Sequence, residues 1–99
     1  MGSETTKTER VFKQTEFGEL TKINSQKTSK ICQGQTVYRA NDNISQVLRK
    51  GDQFYLDGGH KNHLEVFDMN DKFKRVLNLD GSINYDKTAK AEREGRTLK

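Results

Sequence analysis

The chain contains a single cysteine, Cys32, no proline, and no apolar run longer than three residues. One thiol cannot form an intrachain disulfide, so we expect the fold to be stabilised by packing. The shortness of the apolar runs excludes a membrane-spanning helix and the hydrophobic core of a signal peptide. Without proline, no linker is marked in the chain, and no internal repeat is visible.

Length and composition indicate one small domain with a thin core. The chain has 99 residues, of which 30% are apolar and 32% are charged. Its formal net charge is +4, which is compatible with nucleic-acid binding but does not by itself establish it. We expect residues 1–10 to be a disordered or expression-derived lead-in and residues 11–99 to form the single domain.

The N-terminal third is predicted to be helical and then irregular. Phe12, Phe17, Leu20 and Ile23 roughly fit one helical face, as one short helix or as two fragments because Gly18 interrupts the pattern. The polar segment 24–30 is predicted to be a loop.

From residue 36 onward the pattern favours strands joined by turns, with two short helices. Three strands are predicted at Gln53–Asp57, His63–Asp68 and Lys72–Leu79, with a short fourth at Ser82–Tyr85 after a turn at Asp80-Gly81; residues Thr36–Ala40 are β-prone. The predicted helices are Ile44–Arg49 and Lys87–Glu94, the second capped by Asp86 or Thr88 and ended by Gly95. The fold class is therefore α+β: N-terminal helical segments, a twisted antiparallel sheet of about four strands, and a short C-terminal helix or tail.

Side-chain alternation assigns the predicted core. The apolar residues expected there are Val37, Ile44, Val47, Leu48, Phe54, Leu56, Leu64, Val66, Leu77 and Leu79.

The segment YLDGGHKNHLEVFD, residues 55–68, carries both histidines and a cluster of acidic residues. If Leu64 faces the core, His63 and Glu65 lie together on the opposite sheet face, about 7 Å apart. The preceding strand adds Tyr55 and Asp57 to that face, and the turn brings His60 to its rim.

Such a group suits proton transfer. A glutamate can act as a general base and a histidine as a general acid near neutral pH. In RNA cleavage the base takes the proton of a ribose 2′-OH, which attacks the adjacent phosphate, and the acid protonates the leaving 5′ oxygen. A cation stabilises the developing charge, and no metal is required.

Three other interpretations of the same residues stay open. In the first and simplest, the sheet face is only a solvated polar surface. In the second, Asp57, His60, His63 and Glu65 ligate a zinc ion, although their spacing matches no strong metal signature. In the third, Cys32 pairs with a histidine as a nucleophile, but its polar sequence context favours an incidental thiol.

The segment 55–68, together with VLNLDG and the closing KTAKAEREGR, resembles the nuclease domains at the C-termini of bacterial polymorphic and contact-dependent inhibition toxins. It is most similar to the ribosome-inactivating E-type nuclease colicins, within the wider group of barnase-like, EndoU-like, colicin-like and RelE-like nucleases. The resemblance covers roughly residues 53–99.

The resemblance implies a role for each matching residue. Asp57 orients the acid or serves as a second carboxylate, Glu65 is the general base, and Arg96 stabilises the phosphate. His60 matches the family's acid by sequence position. However, the spacing from His60 to Glu65 is one residue longer than in the colicins, and His63 shares a strand face with Glu65, so either histidine is a candidate for the acid.

Further residues are candidates for substrate contact. Lys61, Arg75 and Lys87 are candidate phosphate ligands, although each is also a typical solvated charge. Tyr55 either stacks on a base or packs in the core.

The resemblance also implies partners and a location. The chain is expected to be a monomeric toxin domain that needs no cofactor and no metal, cleaves rRNA or tRNA, and is neutralised by a cognate acidic immunity protein. A bacterium would secrete it or deliver it from its surface into the cytoplasm of a target cell. The competing hypotheses are a non-enzymatic RNA- or protein-binding module and a metal-dependent nuclease.

Overall fold

Five antiparallel strands form one sheet in sequence order in the computed structural model, which describes residues 15–56 and 63–98. The elements are α1 (Glu16–Ile23), β1 (Ser25–Cys32), β2 (Gln35–Ala40), β3 (Gln53–Leu56), β4 (His63–Phe67), β5 (Phe73–Asn78) and α2 (Tyr85–Glu94). This arrangement confirms the predicted α+β class, with one strand more than the expected four. No helix within these two ranges is long and apolar enough to cross a membrane.

The prediction of a loop over residues 24–30 is wrong, because β1 occupies Ser25–Cys32. This strand lies at the edge of the sheet and pairs only with β2 among the described strands. Most of its side chains are exposed, so it lacks the apolar alternation by which a half-buried strand is recognised. Its pairing is also irregular between Lys27 and Ile31, where the Thr28 hydroxyl donates to the Val37 carbonyl over 2.7 Å.

The predicted helix Ile44–Arg49 is also wrong, because these residues form a tight turn closed by a bridge between Ser45 and Leu48. The side chain of Asn43 accepts hydrogen bonds from the Arg49 side chain and from the Lys50 backbone. Local side-chain bonds of this kind compete with helical ones. Leu48 is fully buried and anchors the turn to the sheet.

Both ends of the last helix follow from local chemistry. The Asn84 side chain accepts from the Lys87 N–H, so Asn84 is the cap, and the predicted caps Asp86 and Thr88 lie inside the helix. Gly95 ends the helix in the left-handed conformation, as predicted. The predicted strand Ser82–Tyr85 reduces to one bridge, between Leu77 and Ile83.

Helix α1 packs against the turn after β5 through Phe17. The Phe17 ring lies so close to Gly81 that a Cβ there would be 2.6 Å from it, and Gly81 also has a φ of +92°. Of the predicted apolar face, Phe17 packs against the core, whereas Leu20 and Ile23 are exposed. The buried residues of the helix are Gly18 and Thr21. Phe12 lies outside the described residues.

Both faces of the sheet carry a cluster of buried apolar residues. One face carries the larger core of Tyr38, Leu48, Phe54, Leu56, Leu64, Val66 and Leu77, with Phe17, Ile44, Val47, Leu79 and Ile83 packed against it. The other face carries a second cluster, which we call the distal cluster: Val37, Tyr55, Phe67 and Leu98, bordered by Cys32 and Phe73. Val37 therefore belongs to the distal cluster, and every residue of β3 and β4 is buried.

The packing of the distal cluster predicts that truncating one of its side chains destabilises the fold. Phe67 is 1% exposed and contacts the rings of Tyr55 and Phe73. We expect Phe67→Ala to lower the free energy of unfolding by about 3–5 kcal/mol, as for core aromatics generally. Urea denaturation measures this loss. The exposed Ile31→Ala is the control and should change stability by less than about 0.5 kcal/mol, and equal losses would show that the distal cluster is not a core.

Candidate active site

Glu65 lies at the centre of the distal sheet face. Its backbone pairs with Tyr55 on β3 and with Val76 on β5, so cross-strand neighbours flank it on both sides. The residue is only 3% exposed. A buried carboxylate is stable only when its charge is paired and its oxygens accept hydrogen bonds.

Tyr55 satisfies one oxygen of this carboxylate. Its hydroxyl donates to Glu65 Oε1 over 3.1 Å, and its ring stacks on Phe67 with the centroids 5.9 Å apart. Burial raises the pKa of Tyr55 well above its ordinary value, and the nearby Glu65 charge and Cys32 thiol raise the pKa further. At 2% exposure, the Tyr55 ring is packed inside the protein, and its polar atom orients Glu65.

Arg96 satisfies the other oxygen. Its guanidinium donates to Glu65 Oε2 and, over 3.1 Å, to Glu94 at the end of α2. The hydrogen bond to Glu65 is the main cause that raises the pKa of Arg96 above its ordinary value. While the Glu65 side chain is 4% exposed, that of Arg96 is 38% exposed, so the cation connects the buried carboxylate with solvent.

The C-terminal tail that carries Arg96 is fixed to the start of β5. Thr97 bridges to Lys72, the Leu98 N–H donates to the Asp71 carbonyl over 3.0 Å, and the Leu98 side chain is buried in the distal cluster. These contacts set the position of the Arg96 guanidinium over the sheet.

His63 lies on the same face of β4 as Glu65, two residues earlier, and its backbone pairs with Asn78. It is 8% exposed. Asp57, His60 and Lys61 lie outside the described residues, so the placement of the second histidine and of the second carboxylate relative to Glu65 stays a prediction.

Of the other candidate phosphate ligands, the structure describes Arg75 and Lys87. Arg75 pairs with Val66 and therefore extends from the opposite face of the sheet, where its guanidinium donates to the Val47 carbonyl over 2.7 Å. Lys87 lies in the first turn of α2. The structure thus brings together Tyr55, His63, Glu65 and Arg96, whereas Arg75 is separated from them by the sheet.

The interpretation of this face as a solvated polar surface does not fit the structure, because Tyr55, His63 and Glu65 are all buried. For the zinc interpretation, residues 15–56 and 63–98 contain no group of three or more histidine, cysteine or acidic side chains arranged to hold a metal. Two of the four proposed ligands, Asp57 and His60, lie outside those ranges. The Cys32 side chain borders the distal cluster beside Tyr55.

A shallow cleft of about 310 Å³ opens next to Arg96. It is lined by Lys72, Phe73, Glu92, Gly95, Arg96 and Thr97. Sequence reasoning did not identify Lys72 and Phe73, because only the pairing of the tail with β5 brings them beside Arg96. The cleft gives a ligand access to the exposed part of the guanidinium, with Lys72 as a second cation.

Comparison of the chain with protein-family models, with curated proteins and with solved structures finds no match. The chemistry of the site therefore rests on its own residues: a buried carboxylate between a phenol and a guanidinium, with a histidine on the same strand face.

The raised pKa of Tyr55 predicts a loss of stability at alkaline pH. In the unfolded chain a tyrosine loses its proton near pH 10, whereas the folded chain retains it. The stabilisation is therefore complete below about pH 10 and falls as the pH rises further. In urea denaturation from pH 8 to 11, Tyr55→Phe should be less stable at pH 8 but should lose less stability with rising pH. Tyr85→Phe, at an exposed tyrosine, should match the parent chain. An identical alkaline decline in Tyr55→Phe and the parent would contradict the raised pKa.

Proposed function

We propose that this chain is a metal-independent RNA endonuclease that cleaves by attack of a ribose 2′-OH on the adjacent phosphate. Glu65 is the general base, Arg96 stabilises the phosphate, and His63 or His60 is the general acid. The observation that carries the proposal is the direct pairing of the Glu65 carboxylate with a partly exposed guanidinium on a buried sheet face. These are the base and the cation that this reaction requires at neighbouring positions.

Substrate binding provides a route by which the buried base becomes reactive. A phosphate entering the cleft beside Arg96 competes with Glu65 and Glu94 for the five N–H donors of the guanidinium. As Arg96 turns toward the phosphate, Oε2 of Glu65 becomes available to the 2′-OH. Tyr55 continues to hold Oε1 and so keeps the carboxylate oriented.

The biological setting follows from the resemblance of residues 53–99 to bacterial toxin nucleases. In this proposal the domain is delivered from a bacterium into the cytoplasm of a target cell, cleaves rRNA or tRNA there, and is held inactive by an acidic immunity protein. The net charge of +4 favours association with both an anionic substrate and an acidic inhibitor.

One observation favours a second candidate, a binding module without acid–base chemistry. Both oxygens of Glu65 already accept hydrogen bonds, and the residue is almost completely buried. In such a module the Glu65–Arg96 pair serves only to fasten the tail to the sheet. The domain would then bind RNA or a protein and leave RNA intact.

Cleavage of RNA in the presence of EDTA separates these candidates. The purified chain is expected to cut total bacterial RNA and to leave 2′,3′-cyclic phosphate ends, which mass spectrometry detects. Glu65→Gln removes the base but keeps the shape and a hydrogen-bonding oxygen, and should lower the rate by about 10²–10⁴-fold. Glu19→Gln on the exposed surface of α1 is the matched control and should leave the rate unchanged.

The two histidines are tested in the same assay. His63→Ala and His60→Ala should differ strongly, with the larger loss identifying the acid. Circular dichroism must show that each variant is folded. Full activity in both histidine variants would refute the assignment of the acid, and intact RNA after incubation with the parent chain would favour the binding module. Activity that disappears only in EDTA would indicate a metal-dependent nuclease.

A further inference from the structure

A second cleft, of about 520 Å³, lies where β2 ends and where the turn after β4 approaches the loop before β3. It is lined by Arg39, Ala40, Asn41, Lys50, Gly51 and Met69. None of these residues belongs to the site around Glu65. We call this the Arg39–Lys50 cleft.

The two cations of this cleft are not neutralised within the described part of the chain. Arg39 and Lys50 are exposed, and neither side chain forms an ion pair or hydrogen bond with another residue of those ranges. The acidic side chains close to these residues in sequence have other partners. Asp52 pairs with Lys74, Asp71 pairs with Lys30, and Asp42 and Asp68 accept backbone N–H bonds. The cleft therefore presents two positive charges with no lining carboxylate.

The cleft also has an apolar wall. Met69 is 69% exposed, and its Cε lies against Gly51, 2.8 Å from where a Cβ would be. Gly51 has a φ of +90°, a left-handed backbone conformation that favours glycine. A methionine side chain is flexible and polarisable and adapts to flat apolar partners. Two cations beside an apolar side chain match the chemistry of a nucleotide, whose phosphate is anionic and whose base is flat and largely apolar.

The register of the strands places the cleft on the same sheet face as Glu65. Arg39 pairs with Gln53, and Tyr55, two residues along β3, pairs with Glu65. The Cα atoms of Arg39 and Glu65 are thus two strands and two residues apart, a separation of roughly 12 Å. About three to four stacked nucleotides of one strand, at about 3.4 Å each, cover that distance.

We propose that the Arg39–Lys50 cleft binds the backbone of single-stranded RNA at a position about three to four nucleotides from the scissile phosphate. The proposal rests on the proposed RNA cleavage for its substrate class. Arg39 and Lys50 contact phosphates, and Met69 contacts a base. Substrates too short to reach the cleft are bound by the Glu65–Arg96 site alone.

A binding experiment tests the cleft without requiring catalysis. The probe is a fluorescent 2′-O-methyl RNA about twelve nucleotides long, a length within the range bound by single-strand modules. It has no free 2′-OH and is not cleaved by the proposed reaction. Affinity is measured by anisotropy at several salt concentrations for the parent chain, for R39A/K50A and for the control K90A/R93A. The control removes the same charge from exposed positions on α2.

Loss of two phosphate contacts should lower the slope of log affinity against log salt by about 1.4, at about 0.7 per contact on a single strand. The control should retain the parent slope. Equal slopes for both double variants would overturn the proposal. An unchanged slope combined with lost binding to phosphatidylserine vesicles would overturn it in favour of a membrane surface.

A cleavage experiment then links the cleft to the reaction. R39A/K50A should raise the KM of an RNA about twelve nucleotides long without changing kcat, and should not alter cleavage of a dinucleotide. An equal loss on both substrates would overturn the proposal. If the parent chain cuts neither substrate but the difference in salt slope remains, the catalytic function fails while the RNA-binding cleft stands.

Discussion

The pairing of Glu65 with Arg96 is the interaction on which the second layer of this protein depends. A carboxylate at the centre of a buried sheet face carries a desolvation penalty of several kcal/mol, which only a close cation and hydrogen-bond donors can offset. Tyr55 provides one donor from the neighbouring strand, but the cation comes from the end of the chain, 31 residues away. The tail must therefore cross the distal face, and Leu98 packs there as a consequence.

The same geometry suits the chemistry of a nuclease. A guanidinium shared between a buried carboxylate and solvent can exchange its partner for a phosphate, since both groups are anions whose oxygens accept its N–H hydrogen bonds. In the proposed mechanism, this exchange exposes the Glu65 carboxylate only when substrate is present. Deep burial would be a disadvantage for an ordinary catalytic base. It is compatible with the proposed role of Glu65 because displacement of Arg96 by a phosphate would give the substrate access to the carboxylate.

The sequence predicted most of the sheet and part of the site. Alternation correctly placed Tyr55 and Glu65 on one face, because the period of two holds wherever β3 and β4 pair in register. The same rule places Arg75 on the face opposite Glu65, because Arg75 pairs with Val66. The sequence alone did not give this pairing. The burial of this face was not predictable, since it depends on long-range packing of the tail. The edge strand β1 was missed because its polar, exposed residues show no hydrophobic periodicity. The helix predicted at Ile44–Arg49 is a turn instead, because the Asn43 side chain accepts the Lys50 N–H.

A double-mutant cycle on Glu65 and Arg96 tests the central claim most directly. The free energies of unfolding of the parent chain, Glu65→Gln, Arg96→Met and the double variant are measured by urea denaturation at neutral pH. If the buried carboxylate depends on the guanidinium, the two substitutions are non-additive by about 1–3 kcal/mol, and Arg96→Met costs less in the Glu65→Gln background. Additive losses would show that the two side chains do not stabilise each other and would contradict the dependence of the second layer on this pair.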